Sequence, residues 1–198
     1  VGEASRTGRV LLAAALLLVG LVVASVPLFV RPASDPPVDQ LTGPAPDAVV
    51  VLGGGGGERL DAGLGLLAEL DVVGASPGLL LHVPFEPPLV RCDAVPDLPD
   101  VVVDCVRPAP FSTSGEALAT AELAAANGWD RLVVVTSTYH LTRTRVLVGR
   151  CIDALAPGVE VSYLDAGTDA GPLRTAWTLA QEWPSLLAAP LDHAPACR

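Results

Sequence analysis

Two short segments bring together residue types that could do chemistry. The first is Thr136-Ser137-Thr138-Tyr139-His140-Leu141-Thr142-Arg143. Ser137 and Thr138 offer hydroxyls, while His140 and Arg143 stand three apart, hence side by side on one helical face. An imidazole there can move a proton near neutral pH. A guanidinium can make two hydrogen bonds to a carboxylate or phosphate. The second segment is a run of five glycines, Gly53 to Gly57, followed by Glu58 and Arg59. Without Cβ atoms its amides can approach a bound group closely, and a helix beginning there adds partial positive charge, so the turn suits an anion.

The expected anion contacts are Gly53, Gly54, Gly55 and Arg59 from the glycine turn, with Thr136 and Arg143 from the other segment. Known nucleotide motifs do not fit. The Gly-Lys-Ser/Thr of a P-loop is missing, and Glu58 stands where the third glycine of a dinucleotide fingerprint belongs. Val135–Tyr139 is not the Gly-x-Ser-x-Gly elbow of a serine hydrolase either. A third turn, Phe111 to Glu116, is rich in hydroxyls and opens a helical pattern. Ser112 or Thr113 can cap that helix and Glu116 falls in its first turn. Thr113 is a further expected ligand contact. His140 is the expected general acid or base, oriented by Glu116 or Ser137. The plainer alternative makes Ser137 a cap, Glu116 part of a capping box, Arg143 an ion-pair donor and the glycine run a ligand-free turn.

These turns need a frame. Apolar runs predict strands at Ala48–Leu52, Leu79–Val83, Val101–Val103, Leu132–Thr136 and Val159–Leu164. Helical patterns cover Glu58–Leu70, Ser114–Asn127, Leu141–Leu155 and Pro172–Leu187. The strands lack polar alternation, as expected when helices cover both faces. Alternation of strand and helix predicts an α/β fold with a Rossmann-like, doubly wound parallel sheet. Ligands bind such sheets at the carboxyl ends of strands, where all three turns fall.

Composition narrows the partners. The 198-residue chain carries a formal charge of -10, and its twelve basic residues are all arginine. No basic face can track a phosphate backbone, so nucleic acid is not the expected partner. The absence of lysine excludes Schiff-base chemistry. No cofactor is expected, and no metal: there is no C-x-x-C pair, and His82, His140 and His193 are scattered.

The amino-terminal segment sets the expected compartment. Val10 to Val30 has no charge and is broken only by Gly20, Ser25 and Pro27. About 20 apolar residues cross a bilayer core as a helix. Arg6 and Arg9 precede the run, so residues 1–9 are expected in the cytoplasm and the rest outside. A cleaved signal peptide is the main rival, although Ala24-Ser25-Val26 is a poor cleavage site; a buried core helix is the other. Residues 31–46 hold five prolines and predict an extended linker. Residues 47–198 are then an extracytoplasmic domain on a single-pass plasma-membrane anchor. Four cysteines there favour disulfides in an oxidising compartment. Three pairings are possible; the expected one joins Cys92 to Cys105 and Cys151 to Cys197.

Asp47–Gly54 with Arg59, Thr113 with Glu116, and Val135–Arg143 together resemble the SanA/ElyC/YdcF-like family of bacterial envelope-associated proteins, in its actinobacterial form. The likeness spans about Asp47 to Cys151, and its most specific part is Val-Thr-Ser-x-Tyr-His-x-x-Arg. It implies a Rossmann-like fold and a link to envelope integrity and peptidoglycan metabolism. It departs from that pattern after the second strand, where His82-Val-Pro-Phe-Glu-Pro-Pro88 replaces a Ser-Gly-Gly turn. The expected function is binding, with hydrolysis or transfer, of an anionic, phosphate-bearing envelope precursor, free or lipid-linked. The alternative is a non-catalytic scaffold that partners peptidoglycan enzymes.

Overall fold

Apolar β-branched and leucine-rich runs form the inner strands, two more polar segments form the edges, and each lies where a parallel neighbour satisfies its backbone. The computed structural model describes residues 2–30, 44–55, 57–72, 74–75, 77–82, 101–167 and 171–189, with residues 92, 95, 98 and 197. The elements are α1 (Gly2–Val30), β1 (Ala48–Val51), α2 (Glu58–Val72), β2 (Gly78–His82) and β3 (Val103–Val106), then α3 (Thr113–Asn127) and β4 (Arg131–Thr136). A 3-10 turn (Thr138–His140), α4 (Leu141–Leu155), β5 (Glu160–Asp165) and α5 (Pro172–Ala188) follow.

The sheet is wholly parallel in the order β3-β2-β1-β4-β5. Chain direction across the sheet therefore reverses between β1 and β4, and the crevice beyond their carboxyl ends is the usual ligand position of such sheets. Register fixes its floor: Val51 pairs with Val135, and the Leu52 amide still donates to the Val135 carbonyl at 3.1 Å. At the opposite end the Asp47 carboxylate accepts from the amides of Asp130 and Arg131 at 2.7 and 2.9 Å, locking β1 against β4.

Side chains alternate between the two faces of a strand, and the core divides accordingly. Ala48, Val50, Leu132 and Val134 pack with Ala117, Ala121 and Ala124 of α3 and Leu147, Val148 and Ile152 of α4. Val49, Val51, Leu79, Leu81, Val133 and Val135 pack with Leu66, Leu67 and Leu70 of α2. Helices on both faces explain why these strands read as unbroken apolar runs.

The third strand lies further along than the apolar run Val101–Val103 predicts. Pairing of Leu79 with Val103 and of His82 with Val106 places it at Val103–Val106. It is an edge strand, so Asp104 and Cys105 are exposed there without cost. Both expected disulfides are present, Cys92–Cys105 and Cys151–Cys197.

Among the described residues no helix is long and apolar enough to cross a membrane. In α1 the side chains described are those of residues 8–21, 23 and 24, and the large apolar ones are 53–67 % exposed. Residues 31–43 of the expected linker, residues 83–90 of the departure from the family pattern, and His193 lie outside the described residues.

Candidate functional site

Ser112 begins the α3 end of the site. Its extended backbone and its Oγ, which accepts from the Gly115 amide at 3.2 Å, make it the helix cap. Thr113 is then the first helical residue, and Glu116 lies one position too far on to close a capping box. The Glu116 carboxylate instead crosses to the glycine turn and accepts from the Gly53 amide at 2.6 Å. Glu116 is 4 % exposed. Burial pushes its pKa up to about 7, against the smaller opposing pull of the Gly53 amide and the Arg59 and Arg143 guanidinium groups.

The glycine turn is built around Arg59 of α2. Its guanidinium is buried, donates from Nε to the Ser137 Oγ at 2.8 Å, and donates from a terminal nitrogen to the Gly53 carbonyl. Ser137 passes its own proton toward the Glu58 carboxylate at 2.9 Å. Gly54 and Gly55 have φ of 89° and 76°, conformations that side chains rarely adopt. At Gly55 a Cβ would also collide with the Glu58 carboxylate. The turn thus needs glycine at positions 54 and 55, and Glu58 lies across it.

His140 ends the 3-10 turn after β4 and is buried. Its Nε2 lies 3.1 Å from the Thr113 Oγ1 and its Nδ1 lies 3.0 Å from the Glu182 carboxylate of α5. The same carboxylate receives a two-pronged guanidinium from Arg143, both contacts at 2.9 Å. The terminal nitrogen of Arg143 is 3.1 Å from each ring nitrogen of His140. Equal approach to both puts it over the ring face, since in the ring plane it would collide with the intervening carbon. The partners therefore assign one tautomer: Nδ1 donates to Glu182, and Nε2 accepts from the Thr113 hydroxyl.

Burial lowers the pKa of His140, opposed by the Glu182 hydrogen bond and assisted by the nearby Arg143 charge. The imidazole is neutral at neutral pH. For Glu182, burial is the largest influence and acts upward. The bonds and charges of His140 and Arg143 outweigh it and hold the carboxyl below its usual range.

The three predicted turns thus meet around one network, through Gly53–Glu116, Arg59–Ser137 and Thr113–His140. Two roles change. The group that orients His140 is Glu182, because Glu116 is directed to Gly53 and Ser137 to Arg59 and Glu58. The Gly53 amide and the Arg143 fork are both engaged within the protein rather than held open for an anion. Thr136 lies behind the network, where its Oγ1 is buried with no partner among the described residues. Among those residues no cluster of His, Cys, Asp or Glu is placed to hold a metal ion. Glu182 escaped sequence reasoning, lying 42 residues from His140; its one local signal is that it is the sole acidic residue of α5.

No protein-family model, curated protein or solved structure matches this chain.

Proposed function

We propose that this protein is a membrane-anchored envelope protein. In this reading its α/β domain binds an anionic, phosphate-bearing envelope precursor and hydrolyses it or transfers its phosphoryl-bearing group. One observation carries the catalytic part. A neutral, buried imidazole sits at the reversal point of the sheet with a carboxylate on Nδ1 and a hydroxyl on Nε2. That arrangement prepares His140 to accept a proton at neutral pH and return it later. In this reading a bound anion displaces internal partners of Arg59 and Arg143, whose charge is the positive potential it meets beside the glycine turn. The resemblance to the SanA/ElyC/YdcF-like family supports the envelope assignment. The uncharged stretch Val10–Val30 lies inside the 29-residue α1 and is the segment this reading takes as the anchor. Helix α1 also approaches the 3-10 turn and α4, which would bring the bilayer beside the site and favour a lipid-linked substrate.

The test is thermal stability of the full chain in detergent against polyprenyl phosphates, nucleotide sugars and muropeptides. A rise in Tm with a polyprenyl phosphate, lost in Arg59→Ala, is the expected outcome. Failure of all three classes removes the anionic-precursor reading. A carboxyl-terminal reporter should be active outside the cytoplasm, and cytoplasmic activity would reject export.

A second reading, a non-catalytic scaffold for peptidoglycan enzymes, is favoured by the internal engagement of Arg59, Arg143 and the Gly53 amide. It expects His140→Ala to leave cellular function intact. The catalytic reading expects that variant to lose on the order of 10²-fold or more in turnover.

A further inference from the structure

The network contains a hydroxyl whose position goes beyond ligand contact. Ser112 and Ser114 bond to each other at 2.9 Å, and Ser137 is held between Arg59 and Glu58. Thr120 donates to the Glu116 carbonyl, and Thr138 donates to Asp165. The Thr113 hydroxyl, by contrast, is set against an imidazole nitrogen, at 3.1 Å. Behind that imidazole stands Glu182 at 3.0 Å, itself fixed by the Arg143 fork. Carboxylate, imidazole and hydroxyl in series are the parts of an activated nucleophile. Thr113 is also the first residue of α3, where the helix dipole stabilises negative charge developing on oxygen.

We propose that Thr113 is the nucleophile of this site, with His140 as its general base and Glu182 as the residue that positions His140. The inference rests on the phosphate-bearing substrate proposed above. In the first step the Thr113 Oγ1–H proton passes to His140 Nε2 while Oγ1 forms a bond to phosphorus. The bond from phosphorus to the leaving oxygen breaks, and that oxygen takes the proton from His140. In the second step water, or an acceptor alcohol, loses its proton to His140 and attacks phosphorus. The Thr113–phosphorus bond breaks, and Oγ1 recovers the proton from His140. Each step returns His140 to its neutral state, and the second also restores the free Thr113 hydroxyl.

The test uses the full chain in detergent with its disulfides intact, and diisopropyl fluorophosphate as the probe. Attack breaks the P–F bond, forms the Thr113 ester and releases fluoride, so no natural substrate is required. The expected product is one diisopropylphosphoryl adduct per chain by intact mass, mapped to Thr113. Thr113→Ser should retain labelling and Thr113→Val should lose it. His140→Ala and Glu182→Gln should slow it by on the order of 10²-fold, with partial recovery in Glu182→Asp. The labelling rate should rise with pH through a midpoint below the ordinary histidine range, and Glu182→Gln should displace that midpoint, which a purely structural role would not.

Labelling at Ser112 or Ser114 instead, or no labelling of a chain that still melts cooperatively, overturns the proposal. Farnesyl phosphate separates it from the reading beneath it. Labelling without protection by farnesyl phosphate keeps the nucleophile and rejects the phosphate-bearing substrate. Stabilisation by farnesyl phosphate without labelling keeps the substrate and rejects the nucleophile.

Discussion

At the scale of single residues, the site is governed by which buried groups keep a charge. Near pH 7 His140 is neutral and Glu116, with a pKa of about 7, is about half protonated, and burial is the leading cause for each. Their effects on stability have opposite signs. His140 titrates lower in the folded chain than in the unfolded one, so its contribution is present above about pH 6.5 and lost as pH falls. Glu116 titrates higher, moving from 4.5 to about 7. The folded chain then holds more protons between those values, and stability falls as pH rises across that window. At about 1.4 kcal/mol per pKa unit the full penalty is on the order of 3 kcal/mol above pH 7. Glu116→Gln keeps an acceptor for the Gly53 amide and removes the titration. Denaturant unfolding at pH 5 and pH 8 should show wild type losing about 2.5 kcal/mol more than the variant between the two. Parallel losses would mean that Glu116 is ionised throughout. The pairing of His140 with Arg143 was legible from their spacing alone. Glu182 was not, because nothing local to α5 states that its carboxylate faces a turn some forty residues earlier.

At the scale of elements, boundaries set by local chemistry were readable and those set by pairing were not. Helix α4 falls at Leu141–Leu155 as its pattern predicts, and α3 ends where Gly128 adopts φ 67° and its amide bonds to the Ala124 carbonyl. Strand β3 misled because an exposed edge strand need not be apolar, and its position follows from β2 rather than from its own residues. The α3 amino terminus carries a constraint that the sequence hides. A Cβ on Gly115 would collide with the Pro110 carbonyl oxygen, which belongs to the backbone and cannot swing aside. Gly115→Ala should therefore push the 110–112 turn away from α3, costing on the order of 1–3 kcal/mol and moving Thr113 relative to His140. Thermal unfolding checks the first effect. The second should appear as lost activity, or lost probe labelling, at temperatures where the variant is still folded. Gly149→Ala is the control, since a Cβ there meets nothing within 4 Å; equal effects of the two would dismiss the collision.

At the scale of the whole molecule, strand order and disulfides work together to hold the site. The order β3-β2-β1-β4-β5 puts the glycine turn and the His140 turn on adjacent strands, and α3 delivers Thr113 and Glu116 between them. Alternation of strand and helix gave the class of sheet, but the crossings between Glu116 and Gly53 and between Glu182 and His140 depend on tertiary packing. The frame has two covalent ties, and they differ in what they protect. Cys151 is 3 % and Cys197 2 % exposed, and both lie in the α3–α4 core. Cys105 is exposed, on the edge strand. Closing loops of 46 and 13 residues is worth about 4 and about 3 kcal/mol by chain entropy. Replacing Cys151 and Cys197 together by alanine should then lower stability more than replacing Cys92 and Cys105, because it also opens the core beside α4, the helix that follows His140. The two double variants can be compared by urea unfolding, with the His140-dependent labelling rate measured in parallel. The expected result is a larger fall in both quantities for the Cys151–Cys197 variant. A larger fall for the Cys92–Cys105 variant would place the structural weight of the domain on its edge instead of beneath its site.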